Sequence, residues 1–287
     1  YQPNLALLDR VLADPAAQMP LGDPGSPVAD YMLGVRDLAR LLVLSAWYKA
    51  SHDEHAGAFE DLARLRGLDR TIRVGGALLG HLVASTLDGG AADTAWRIAM
   101  QQDISAPVLR QAALDFLASA DKAVPLVEAI RVEAMVAERL VRRCFRNVGK
   151  PGPTGAVSVS GRLEQLLMGL LGSNAETSPR NVRAAFQHVI VIVEKPYSPS
   201  SLAEYGQLRT ALKVPLNPFT VSDLSGYTFG AMLVPCDDKA YTKVTTTDAN
   251  LKGVALFLAL QAYEREHGGP PERLEQLVPD FLPRIPE

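Results

Sequence analysis

The densest group of side chains that could do chemistry in this chain is His52-Asp53-Glu54-His55. If that stretch is helical, residues three apart share a face, so His52 and His55 could reach one metal ion, with Asp53 as the adjacent carboxylate. A zinc centre needs a third and usually a fourth ligand. The H-D-E-H spacing also differs from H-E-x-x-H, which puts two histidines one helical turn apart. The plainer reading is a polar helix start facing water, with Ser51 as N-cap and Asp53 and Glu54 in a first turn that favours carboxylates.

Other motifs reduce to packing in the same way. Arg73 to Gly80, RVGGALLG, holds glycines but lacks the G-x-G-x-x-G spacing, and no strand precedes it. Gly76 and Gly80 lie one helical turn apart, which lets two helices approach closely. Gly149-Lys150-Pro151-Gly152 has no Ser or Thr after the lysine and is no phosphate loop, and no G-x-S-x-G elbow occurs. His81 and His188 stand among apolar and β-branched neighbours and read as core or boundary histidines rather than bases. Asp237 and Asp238 read as helix-start carboxylates, and Thr245-Thr246-Thr247 as residues that cap or flank a helix.

The bulk balance excludes whole classes. With 47% hydrophobic and 21% charged residues, the chain lies far from disordered compositions. A formal net charge of -3 speaks against nucleic acid. The one basic row, Arg139, Arg142, Arg143 and Arg146, falls at a predicted helix end, where cations suit the dipole. Cys144 and Cys236 are too few for a disulfide framework. They form one bridge if the chain works outside the cytoplasm, and are otherwise two buried thiols. No apolar run approaches the ~18 residues that span a bilayer.

Periodicity then supplies the elements. Asn4 to Ala13 reads as a short helix with Leu5, Leu8 and Leu12 on one face. A second helix runs from Pro27 to about Ala50, with Arg36, Asp37 and Arg40 sharing a face. A third runs from Ser51 to about Arg66, where Gly67 ends it, and a fourth from Arg70 to Leu87, stopped by Gly89-Gly90. Ala91 to Gln101 and Ser105 to Ala118 form a pair, with Pro107 in the first turn of the second. Lys122 to Arg146 is amphipathic through Val127, Ile130, Ala134, Ala137, Val141 and Cys144. Further helices are expected over Gly161 to Leu171, Pro179 to Glu194 and Ser200 to Leu212. The β-branched run His188 to Val193 is read as helix, with a strand as the alternative. The segment from Val214 to Pro235 reads as loop with a short helix near Phe229 to Val234. A last long helix starts between Asp238 and Asp248 and ends at Gly268. Its run Gly253 to Leu260 is apolar on every side, so it is expected at the centre of a helical layer. A short helix, Glu272 to Val278, and an extended proline-bearing tail follow.

The expected fold is all-α, an irregular helical bundle or an α-solenoid-like array of helix pairs. It divides as 1–146, a Gly/Pro-rich loop at 147–160, and 161–287, or forms one continuous domain.

Two resemblances rest on quoted residues. From Ala255 to Pro286 the chain is similar to a short segment of the major pseudopilins of type II secretion systems. There a helix ends in a Tyr-x-x-x-x-Gly-x-Tyr-Pro turn before a Leu-rich helix; here Pro270 replaces the aromatic before Pro271, and the pseudopilin methylation site and apolar N-terminal helix are absent. Over more of its length the chain resembles uncharacterised Leu/Ala-rich bacterial envelope proteins with an N-terminal membrane helix. The matching stretches are Asp37 to Leu42, Gly57 to Leu62, Glu194 to Tyr197, and the tail with Tyr263, His267-Gly268, Pro271, Leu274 and Leu277-Val278-Pro279. That resemblance implies a body outside or on the membrane, a tether in a removed segment ahead of Tyr1, and further chain beyond Glu287. It carries no activity, so no catalytic, cofactor-binding or metal residue is transferred and no cofactor is expected.

The functional expectation is a non-catalytic helical scaffold of the bacterial cell envelope that binds another protein or peptide between helix pairs. The alternative is an enzyme or a small-ligand or metal binder centred on His52, Asp53 and His55.

Overall fold

A computed structural model of the protein describes residues 2–14, 28–75, 78–101, 103–147, 177–212 and 238–286. The protein is all-α: nine α-helices and no strand occur among the described residues. They are α1 (Gln2–Ala13), α2 (Val28–Ala50), α3 (His55–Gly75), α4 (Leu78–Gln101), α5 (Ala106–Asp121), α6 (Leu126–Asn147), α7 (Thr177–Val193), α8 (Pro199–Leu212) and α9 (Asp238–His267). A 3-10 turn, Leu274–Leu277, follows. Of the loop expected at 147–160, Asn147 closes α6; its remaining residues, the helix at 161–171, the segment 214–235, Cys236, and the side chains of Val141 and Cys144 lie outside the described residues.

Two predicted helix ends are corrected. Gly67 lies inside α3 and Gly89-Gly90 inside α4, so both helices run through their predicted ends. An interior glycine costs a helix only about 1 kcal/mol against alanine, which flanking apolar contacts outweigh. Gly67 is used for space: a Cβ there would stand 3.0 Å from the Leu12 side chain of α1. Gly80 does the same between α3 and α4, where a Cβ would lie 3.2 Å from the Ile72 carbonyl oxygen. Gly268 does end a helix as expected, with a positive φ of 77° just past His267, and its N–H donates to the Glu264 carbonyl. Pro107 sits in the first turn of α5.

The chain divides into two compact units, residues 1–124 with 242–287, and residues 125–241. The first unit owns the main core. Leu42 and Ala46 of α2, Leu62, Leu65 and Ile72 of α3, Ala84, Ala95 and Ile98 of α4, and Leu109, Phe116 and Leu117 of α5 are buried together. α9 enters this core by Leu251, Ala255, Leu258 and Ala262, a row spaced at four, three and four residues. The expectation that Gly253 to Leu260 is buried all round holds only for that face: Gly253 is exposed, and Leu256, Phe257 and Leu260 are half-buried. Thr245 to Thr247 lie inside α9 rather than at its start, and the Thr247 hydroxyl donates to the Ser85 carbonyl at 3.3 Å. The tail folds back through buried Leu277, Phe281 and Leu282, so the segment expected as a helix from Glu272 is a single 3-10 turn.

The second unit packs α6 against α7 through Ile130, Ala137, Phe186, Val189 and Ile190. The β-branched run at 188–193 is helical, with His188 and Val191 outward and Val189, Ile190 and Ile192 inward. Tyr205 of α8 stacks with Tyr241, at 5.9 Å between ring centres. Arg142 pairs with Glu138 at 2.7 Å, as does Arg183, and the two hold that carboxyl below the usual range, Arg183 having the larger effect.

Candidate functional site

The expected centre at His52 to His55 does not lie on one helix, since His55 opens α3 and His52 comes before it. Ser51 to Asp53 form a turn between α2 and α3, and Asp53 takes a positive φ of 61°. The helical-face argument for His52 and His55 therefore fails. The His52 ring lies 4.2 Å from the Tyr48 ring, with Nδ1 2.8 Å from the Tyr48 carbonyl. His55 Nε2 lies 4.0 Å from an Asp53 carboxylate that is 93% exposed. Among the described residues, no group of three His, Cys, Asp or Glu stands where it could hold a metal ion.

Charge is instead concentrated inside the first unit, on α3. Asp61, Arg66, Asp69 and Arg73 are buried, and follow the spacing of the apolar residues Leu62, Leu65 and Ile72. Two of these charges are closed by neighbours. Asp61 accepts from Ser45 Oγ at 2.6 Å, Lys49 Nζ at 2.7 Å and Arg64 Nη1 at 2.7 Å. Arg73 donates through Nε to Asp69 at 2.8 Å and through Nη2 to Asp88 at 2.8 Å, and its Nη1 lies 3.5 Å from His81 Nδ1. Burial shifts this cluster's protonation. The Asp88 carboxyl is pushed up to about 7, first by burial and next by Asp69. The His81 imidazole is pushed down to about 4, first by burial and next by the Arg73 cation. Burial also raises Asp69, against the pull of Arg73. His81 is thus a core histidine as expected, though its Nε2 and Asp88 Oδ1 find no hydrogen-bond partner. His188, expected at the core or its boundary, is exposed.

Arg66 is different. It is 4% exposed, and neither Nε nor Nη1 has a partner. Its guanidinium carbon sits 3.7 Å above the Phe116 ring centre. Burial brings its pKa down to about 10, against the pull of Asp115, Asp88 and Asp69. Arg66 lines a cavity of about 500 Å³ between α1, α3 and α5, which Leu12, Arg70, Asp115, Ser119 and Lys122 also line. Sequence reading misses this site because a helix end at Gly67 separates Arg66 from Asp69 and Arg73. With α3 continued, Arg66, Asp69 and Arg73 fall on the core face, where charge is unusual enough to mark them.

A second feature is the outer face of α2. Leu41, Leu44 and Tyr48 are 51%, 64% and 64% exposed, at spacings of three and four. Arg36, Asp37 and Arg40 are exposed on the same helix as expected.

Among the described residues, no helix is long and apolar enough to cross a membrane. No family model, curated protein or solved structure matches the chain.

Proposed function

We propose that the protein is a helical docking protein of the bacterial cell envelope, and that the outer face of α2 receives a helix of a partner protein. The observation that carries this reading is the exposed row Leu41, Leu44 and Tyr48. Single exposed apolar residues are ordinary, but three at helical spacing make a seam that an amphipathic helix fits. The charged Arg36, Asp37 and Arg40 give the seam a polar border that would fix register. The envelope setting is supported by the resemblance of Asp37 to Leu42 and of the tail to Leu/Ala-rich envelope proteins, and a tether ahead of Tyr1 belongs to the same proposal.

The test places a photo-reactive phenylalanine at position 44 and illuminates the protein in bacterial membrane extract. One reproducible cross-linked protein is expected, and Tyr48→Glu should abolish the adduct. Cross-links confined to the chain itself, or scattered over many proteins and insensitive to Tyr48→Glu, would overturn the reading.

A further inference from the structure

The cavity between α1, α3 and α5 is walled by two facing polar rows. On α3 the row is Arg66, Arg70 and Arg73, and on α5 and its C-cap it is Asp115, Ser119 and Lys122. Both are spaced at four and three residues, so each row lies along one helix face. Most of the cations in this wall are already engaged. Arg70 donates to the Leu12 carbonyl at 2.9 Å, Arg73 is held by Asp69 and Asp88, and Arg64 donates to Asp9 at 2.8 Å. Arg66 accepts none of this closure. Phe116 covers one face of its guanidinium, and Nε and Nη1 have no hydrogen-bond partner. No ion pair reaches exposed Lys122 among the described residues. A buried guanidinium without acceptors carries a desolvation cost that an incoming acceptor would relieve.

We propose that this cavity binds a small zwitterion of the free amino acid class, with its carboxylate on Arg66 and Lys122 and its ammonium towards Asp115. The carboxylate follows from Arg66, since a planar guanidinium matches that group. The ammonium follows from Asp115: of the four lining carboxylates, Asp9 and Glu60 pair with Arg64 and Asp69 with Arg73, whereas Asp115 is in no ion pair among the described residues. The cavity also meets the C-terminal ends of α1 and α5, at the Leu12 carbonyl and the Lys122 cap, and these negative dipole ends disfavour a doubly charged phosphate, which prefers helix N-termini. The cavity volume of about 500 Å³ lies in the usual range for small-ligand sites.

The experiment measures the Tm of the full chain with each free L-amino acid in turn, with acetate, with methylamine and with inorganic phosphate. At least one amino acid should raise the Tm by about 3 °C, and acetate or methylamine alone should not. Arg66→Met should lose the shift, and Lys122→Gln should weaken the same amino acid about tenfold. No shift across the panel, a larger shift with phosphate than with any amino acid, or an unchanged shift in Arg66→Met overturns the proposal. If Arg66→Met does not fold, exposed Lys122→Gln decides alone, and unaltered affinity there overturns it.

Discussion

α2 and α3 pack against each other and depart from the usual inside-outside rule in opposite directions. α3 carries Asp61, Arg66, Asp69 and Arg73 into the interior, whereas α2 leaves Leu41, Leu44 and Tyr48 in water. Burying charge and exposing large apolar side chains both cost free energy, so each departure needs a compensation. On α3 the compensation for Asp61 and Arg73 is visible, because each is closed by at least two partners. For Arg66 and for the α2 row, no such closure is found among the described residues. The difference separates charges that hold the fold from groups left open for something else.

The sharpest way to break that contrast is to remove the cation from the closed cluster. Arg73→Leu leaves Asp69 and Asp88 buried beside each other without it. A loss of about 3–5 kcal/mol in urea unfolding is expected, and the triple change with Asp69→Leu and Asp88→Leu should recover most of it. A loss under about 1 kcal/mol would mean the cluster is not the closed, structural one. Arg66→Met should behave in the opposite way, costing little because no partner is left stranded.

A pH series tests the same cluster with a somewhat smaller effect. Asp88 titrates at about 7 in the folded protein and near the ordinary ~3.9 unfolded, so the folded state holds a proton that the unfolded chain has released. Its contribution is present at low pH and is lost as pH rises towards 7. His81 titrates at about 4 folded and near ~6.5 unfolded, so its contribution is present above that range and is lost as pH falls towards 4. The His81 slope opposes that of Asp88 over about pH 4–6.5, and Asp69, which burial also raises, acts on the same side as Asp88. His81→Leu should therefore make stability fall more steeply with rising pH than in the parent, by about 1 kcal/mol per unit, and Asp88→Asn should shift the parent's slope in the opposite direction. Urea titrations at several pH values would show it, and slopes shifted in the same direction in both variants would refute the opposition.

The same comparison explains what could be read from the chain beforehand. The helices were legible because apolar spacing is a local signal, as in Leu5, Leu8 and Leu12 or in the row of α6. The stop at Gly268 was legible because a glycine at a positive φ followed by prolines is also local. Gly67, Gly89 and Gly90 misled because their effect depends on what faces them, which spacing does not contain. The false end at Gly67 then hid the site, since it cut Arg66 from Asp69 and Arg73. His52 and His55 stand out by residue type and a spacing that matters only on one helix, whereas His52 lies in a turn and His55 opens α3. Nothing in the spacing of α2 separates Leu41 and Leu44 from its other apolar residues, and only the packing shows which of them lie outside.

The glycines give a test in which two positions with one residue type should diverge. Gly80→Val places a Cβ 3.2 Å from the Ile72 carbonyl oxygen, a backbone atom that cannot swing aside, and should cost about 1–3 kcal/mol. A Cβ at Gly90 meets nothing within 4 Å, so Gly90→Ala should stabilise α4 by up to about 1 kcal/mol. Thermal melts of the two variants moving in the same direction would remove the packing account of Gly80.

The smallest expected change in stability falls on the α2 row, and there smallness is the point. Leu44→Glu takes a side chain that is 64% exposed and makes it charged. If nothing of the folded chain depends on Leu44, unfolding free energy should stay within about 0.5 kcal/mol of the parent. Capture of a partner from membrane extract should nevertheless be lost, because a carboxylate in place of Leu44 must be desolvated at the centre of the helix-helix seam. Stability and capture falling together would place Leu44 within the fold of its own chain. Stability holding while capture fails would assign the exposed row to recognition, and would mark the openness of α2 as different in kind from the closed charges of α3.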